Sequence, residues 1–259
     1  VKKVVALAAT AIAALLAACG GGDSPEEVTV KGLEYAYEMP AKVDGGLTTM
    51  TFANTGGLPH EFSLGKLGAG KTEKDVKDFV AKGDGGEPPS WLTDVGGVSG
   101  LSPGTEIGIT RNLAPGNYAF ICFLPTSKGE LHAKLGMIKG FTVGEDAGAK
   151  PPKADSTITV TDGAYEIPPL KGGQQTIELK NSGKKPHGFN LLTLEAGKTV
   201  DDIDSWFESG LKGKPPATLY GTVQQVPPGE SNYLDIDLKS GVEYLMLDEG
   251  NLQKTFTVE

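Results

Sequence analysis

Histidine and cysteine are scarce in this chain of 259 residues. It holds three histidines, His60, His132 and His187, and two cysteines, Cys19 and Cys122. Two cysteines make no disulfide framework. Positive charge is also in deficit, with 24 Lys and Arg against 33 Asp and Glu, a net charge of −9. That balance excludes nucleic acid as the expected partner. Long apolar runs are missing as well, except one. Val4 to Ala18 is almost unbroken, yet it falls short of the ~20 residues a membrane-spanning helix needs.

That single run sits behind Lys2 and Lys3 and ends in Leu16-Ala17-Ala18-Cys19, followed by a glycine-rich polar stretch. A positive start, a short apolar core and small residues at the end read as an export signal. The LAAC tetrapeptide resembles the bacterial lipobox. The resemblance implies cleavage before Cys19 and a lipid on Cys19, so residues 1–18 are expected to be signal and 19–27 a tether. The mature protein would then be a bacterial lipoprotein, held to a membrane in the periplasm or on the outer face of the cell. Losing the two signal lysines takes the net charge to −11. Cys122 is left without a partner in an oxidising compartment, which makes its neighbours the place to look.

The chain repeats itself. TFANTGGLPHEF, from Thr51, is answered by ELKNSGKKPHGF, from Glu178. Asn54 matches Asn181, His60 matches His187 and Gly70-Lys71-Thr72 matches Gly197-Lys198-Thr199, all 127 positions apart. Tyr118 matches Tyr244, and Phe141-Thr142-Val143 matches Phe256-Thr257-Val258. At the front, Val28-Thr29-Val30 is set against Ile158-Thr159-Val160. A period above 100 residues is that of a domain. The boundaries that follow are 28–144 and 156–259, joined by the Gly-, Pro- and charge-rich linker 145–155. Alternating apolar runs such as TTMTFAN and SNYLDIDL, separated by Gly, Pro and Asn, read as strands. Lys71 to Lys82 places Val76, Phe79 and Val80 at helical spacing behind a Thr72/Asp75 capping box, and the second unit repeats it from Thr199. The expected fold is all-β: two tandem Greek-key sandwiches, each with one short helix.

The chemistry lies at the end of the first unit, in NYAFICFLPTSKGELHAKLGMIKGFTV. Nine residues separate Cys122 from His132 and four separate His132 from Met137, with His60 far upstream. This arrangement resembles the cupredoxins: plastocyanin, azurin and the type 1 domain of copper nitrite reductases. The resemblance covers most of Val28 to Val143. It implies one copper ion, with His60, Cys122 and His132 as equatorial ligands and Met137 as the axial one. A thiolate, two imidazoles and a weak thioether suit that geometry. The second unit lacks the set. Asp248 stands at the Cys122 position, and only seven residues precede Phe256 where eighteen precede Phe141. Asp248, Glu249 and His187 remain as a weak alternative cation site.

The expected function is a membrane-anchored blue copper protein, a one-electron carrier for an unidentified redox protein. Copper delivery from an exchangeable site, or a metal-free binding module, are the alternatives. An enzyme is not expected: with His60 and His132 spent, His187 alone cannot build a second copper centre.

Overall fold

The computed structural model describes residues 23–83, 87–248 and 252–259. The Val4–Ala18 run, Cys19 and Glu249 lie outside the described residues. Among the described residues no helix is long and apolar enough to cross a membrane.

The fold is all-β, with two units of matching element order. The first contains β1 (Glu26–Leu33), β2 (Ala36–Glu38), β3 (Lys42–Asn54), β4 (His60–Leu67), α1 (Glu73–Lys82), β5 (Leu92–Leu101), β6 (Glu106–Leu113), β7 (Gly116–Ile121) and β8 (Ile138–Asp146). The second repeats them as β9 (Ser156–Val160), β10 (Tyr165–Glu166), β11 (Gly173–Asn181), β12 (His187–Leu194), α2 (Val200–Glu208), β13 (Ala217–Val226), β14 (Ser231–Leu238), β15 (Glu243–Leu247) and β16 (Gln253–Thr257).

In the first unit β2, β1, β3 and β6 pair in one sheet, and β8, β7, β4 and β5 in the other. The connections β3–β4, β5–β6 and β6–β7 each cross between sheets, as a Greek key requires. Strand β3 serves both layers. Its first residues pair with β8, and the rest pair with β1 and β6. The chain changes layer at Gly45-Gly46, where a Cβ on Gly45 would stand 2.3 Å from the Gly144 carbonyl oxygen and Gly46 takes a φ of +82°. Period-two alternation places Val28, Val30, Met50, Phe52, Ile107 and Ile109 inside. Phe52, Phe62 and Phe120 meet edge to face at its centre.

Helix α1 starts two residues later than the periodic run. Its backbone begins at Glu73, with Thr72 as the cap and the Asp75 carboxylate accepting from Thr72 N at 3.0 Å. Thr199 and Asp202 do the same for α2 at 2.9 Å. Val76 and Val80 pack against Leu67 and Ile121, and Trp91 joins them, edge to face with Phe79.

The two units join edge to edge. Tyr233, Leu234 and Asp235 of β14 pair with Thr110, Ile109 and Gly108 of β6. Tyr220 of β13 pairs with Leu101 of β5. Each unit thereby covers edge strands the other would leave unpaired. Gly108 permits the close approach: a Cβ there would stand 2.9 Å from that of Asp235.

Strand pairing corrects one detail of the sequence comparison. Val30 pairs with Phe52, and Ile158 pairs with Leu179, the counterpart of Phe52. Val30 therefore corresponds to Ile158, and the match of Val28 with Ile158 is two residues out of step. Alternation survives a slip of two, because every side chain stays on its face.

Candidate metal centre

His60 opens β4, and Asn54 decides where. The Asn54 side chain is buried, donates to the carbonyls of Leu58 and Leu101 at 2.8 and 2.7 Å, and accepts from Gly56 N at 2.9 Å. Those three bonds shape the loop that delivers Pro59-His60. Asn181 makes the corresponding three, to Lys185 O, Val226 O and Gly183 N, ahead of His187.

Cys122 leaves the end of β7, and the chain folds back on it. Cys122 N donates to Met137 O at 3.2 Å, and Cys122 O accepts from Ala133 N at 2.9 Å. Within this loop His132 N donates to Leu124 O at 2.9 Å and Met137 N to His132 O at 3.0 Å. These bonds bring residues ten and fifteen positions after Cys122 back beside it. The ligand atoms of His60, Cys122 and His132 all lie within 4.8 Å of one another, and all three residues are fully buried. Cys122 Sγ is 3.4 Å from His132 Nδ1. Met137 is buried too; its methyl and the His60 ring edge both border Gly32, 3.6 and 3.4 Å from where a Cβ would stand.

Both nitrogens of His60 and Nε2 of His132 have no protein hydrogen-bond partner although buried. Buried imidazoles left so are costly, and a metal ion would take one nitrogen of each ring. Two imidazoles and a thiol suit copper or zinc and not a hard cation. The residues therefore fit a soft or borderline metal. Burial, then the neighbouring His132, pushes His60 down to about 4, and burial also holds His132 below the ordinary imidazole range. Burial pushes the Cys122 thiol up to about 12. At neutral pH both rings are ready to ligate, and a metal must displace only the thiol proton.

The depressed His60 value has a consequence for stability. The unfolded chain takes up a proton near pH 6.5 that the folded chain refuses until about pH 4. Stability of the metal-free protein is then full above pH 6.5 and falls as pH drops from there towards 4. Urea midpoints measured across that range should decline, with the slope reduced in His60→Gln. A flat profile would contradict the burial of His60.

Residues outside the sequence-derived set support the cluster. Glu61 N donates to Cys122 Sγ at 3.4 Å, and the Glu61 carboxylate accepts from Phe123 N at 3.1 Å. Tyr37 donates its hydroxyl to Glu61 O. Tyr35 meets the His132 ring edge to face at 5.1 Å. The corrected register exposes the signal that marks Tyr37: Tyr165, 128 positions later, donates to Gly188 O at 2.6 Å.

Among the described residues the second unit brings no such cluster together. Ring nitrogens of His187 lie 3.0 Å from Asp162 Oδ1 and 3.2 Å from Asp248 Oδ2. Among the described residues, His60, Cys122 and His132 are the one group of three or more of the His, Cys, Asp and Glu type placed to share an ion. His187 bridges two carboxylates with opposite nitrogens, which does not chelate.

No protein-family model matches the chain, and no curated protein matches it. Solved structures do. Dithionite-reduced auracyanin from Roseiflexus castenholzii is 26% identical, with 46% of this chain and 98% of that one covered and a TM-score of 0.33. Auracyanin A, titled a "blue" copper protein from Chloroflexus aurantiacus, is 19% identical over 46% of this chain and 99% of that one, TM-score 0.33. Copper nitrite reductase from Nitrosomonas europaea is 13% identical over 91% and 94%, TM-score 0.29. With every score this low, the case for the centre stands on this chain's own buried residues.

Proposed function

We propose that the first unit holds one copper ion through His60, Cys122, His132 and Met137, and that the protein is a one-electron carrier. The observation that carries this reading is the buried cluster of two imidazoles and a thiol with unpartnered ring nitrogens. Bound there, copper supplies one-electron chemistry between its +1 and +2 states. The protein's part is to hold the donors still. The Asn54 bonds fix His60, the folded-back loop fixes Cys122, His132 and Met137, and full burial excludes water from all four. The matching element order of the two units supports a duplication in which the second kept the sandwich and lost the ligand loop. The LAAC sequence supports a lipid on Cys19, which would keep the carrier beside its redox partner at a membrane.

Titrating the metal-free protein with Cu(II) tests the reading. One intense visible band should grow and saturate at one copper per chain, then bleach reversibly on reduction. His187→Ala should leave band and stoichiometry unchanged, since His187 is engaged by Asp162 and Asp248. A colourless wild-type protein rejects the proposal. Rapid stripping of the colour by a chelator would turn it towards copper delivery.

A further inference from the structure

The second unit records how this fold holds the histidine at the start of the fourth strand. His187 has one nitrogen against Asp248, which occupies the place of Cys122, and the other against Asp162. Asp162 lies in the turn between β9 and β10. Its Oδ1 also accepts from Lys184 N at 2.9 Å and Lys185 N at 3.2 Å. One carboxylate thus ties the loop before His187 and holds Nε2 from behind, leaving Nδ1 to face the Cys122 position.

In the first unit the residue 128 positions earlier is Glu34, in the turn between β1 and β2. Glu34 Oε2 accepts from Gly57 N at 2.8 Å, and Gly57 is the counterpart of Lys184. The gap beside the ring is also conserved between the units. A Cβ on Gly183 would stand 2.6 Å from Asp162 Oδ1 and 3.0 Å from His187 Cδ2. A Cβ on Gly56, its counterpart, would stand 2.5 Å from His60 Nε2 and 3.2 Å from Glu34 Oε2. Nitrogen and carboxylate border one space that only a glycine leaves open. The negative charge of Glu34 also raises the proton affinity of His60 against the effect of burial.

The geometry points to Glu34 as the positioning residue of His60: its carboxylate accepts a hydrogen bond from Nε2–H, so that Nδ1 is left bare towards Cys122. Closing this bond takes a rotation of the Glu34 side chain, which is exposed. An outer carboxylate fixes the tautomer and ring orientation of a ligating histidine and makes it a stronger donor. For a copper ion, and resting on the reading above, a stronger donor favours the +2 state and lowers the potential.

The test uses the full chain labelled with 15N in histidine. In the metal-free protein, long-range 1H–15N correlations should show His60 protonated on Nε2 only. Glu34→Gln keeps an acceptor oxygen and should keep that tautomer. Glu34→Ala should give a mixture with Nδ1–H. A wild-type His60 protonated on Nδ1, or a tautomer unmoved in Glu34→Ala, overturns the proposal. A merely structural glutamate would change thermal stability and leave the tautomer alone. In the copper-loaded protein both variants should raise the potential, and Glu34→Ala should weaken copper binding by about 10- to 100-fold. A protein that takes no copper would sink the copper reading while the tautomer result still decides the role of Glu34.

Discussion

Cys122→Ser abolishes the visible band at every copper concentration while the metal-free protein stays folded. The band requires a sulfur donor, and Cys122 is the one cysteine among the described residues. Serine is nearly isosteric and buries less apolar surface, so the loss of fold stability should be about 1 kcal/mol. The Glu61 amide, which donates to Cys122 Sγ in the native protein, keeps an acceptor in the serine hydroxyl. Metal stabilisation disappears with the colour. Copper at a hundred times its dissociation constant should stabilise the wild type by about 2.7 kcal/mol and the variant by almost nothing. Uptake by the wild type should also release one proton, because burial keeps the thiol protonated up to about pH 12. Thermal melts with and without copper read the two stability effects, absorption spectra the colour, and a pH indicator the released proton. A variant that keeps the wild-type band would show that the colour arises elsewhere.

Asn54→Ala costs about 3 kcal/mol or more. The substitution removes a buried side chain that satisfies three backbone groups, Leu58 O, Leu101 O and Gly56 N. A buried polar group left unpaired costs roughly 1–3 kcal/mol, and three are affected together. Asn54→Asp should fare little better, since an oxygen replaces the amide nitrogen that faces two carbonyls. Because the same loop delivers His60, copper binding should weaken along with stability. Asn181→Ala separates the two effects. It breaks the equivalent bonds to Lys185 O, Val226 O and Gly183 N and should destabilise to a similar degree, yet leave the copper band unchanged. Urea unfolding followed by fluorescence measures the first effect, and copper titration the second. A cost below about 0.5 kcal/mol for Asn54→Ala would mean that the loop finds other partners.

The centre was legible to the extent that it is local. Cys122, His132 and Met137 lie in one loop, so their spacing is visible in the chain, and the loop's bonds from Cys122 to Ala133 and Met137 follow from closing it. His60 was legible only through the resemblance to the cupredoxins, since the same Asn-to-His stretch recurs at His187, which joins no such cluster among the described residues. The supporting residues were not. Tyr37 and Glu61 bear on the cluster across strands, and the repeat of Tyr37 as Tyr165 shows only once strand pairing has set the register. Glu34 was further hidden by the slip of two at the front of the repeat, which set Asp162 opposite Gly32 and not opposite Glu34.

By itself the sequence determined that there are two β units, that each has one capped helix between its strands, and that one unit carries the thiol, imidazole and thioether loop. These follow from alternation, capping and repetition, which are written along the chain. Only the tertiary structure decided the register of the first strand, because a period of two cannot tell one slip from the next. It alone decided that the units meet edge to edge through β6 with β14 and β5 with β13, since an edge strand's partner is chosen by backbone groups that every residue carries. The placing of a carboxylate beside His60 was decided there too, by a turn that folding brings against a distant loop.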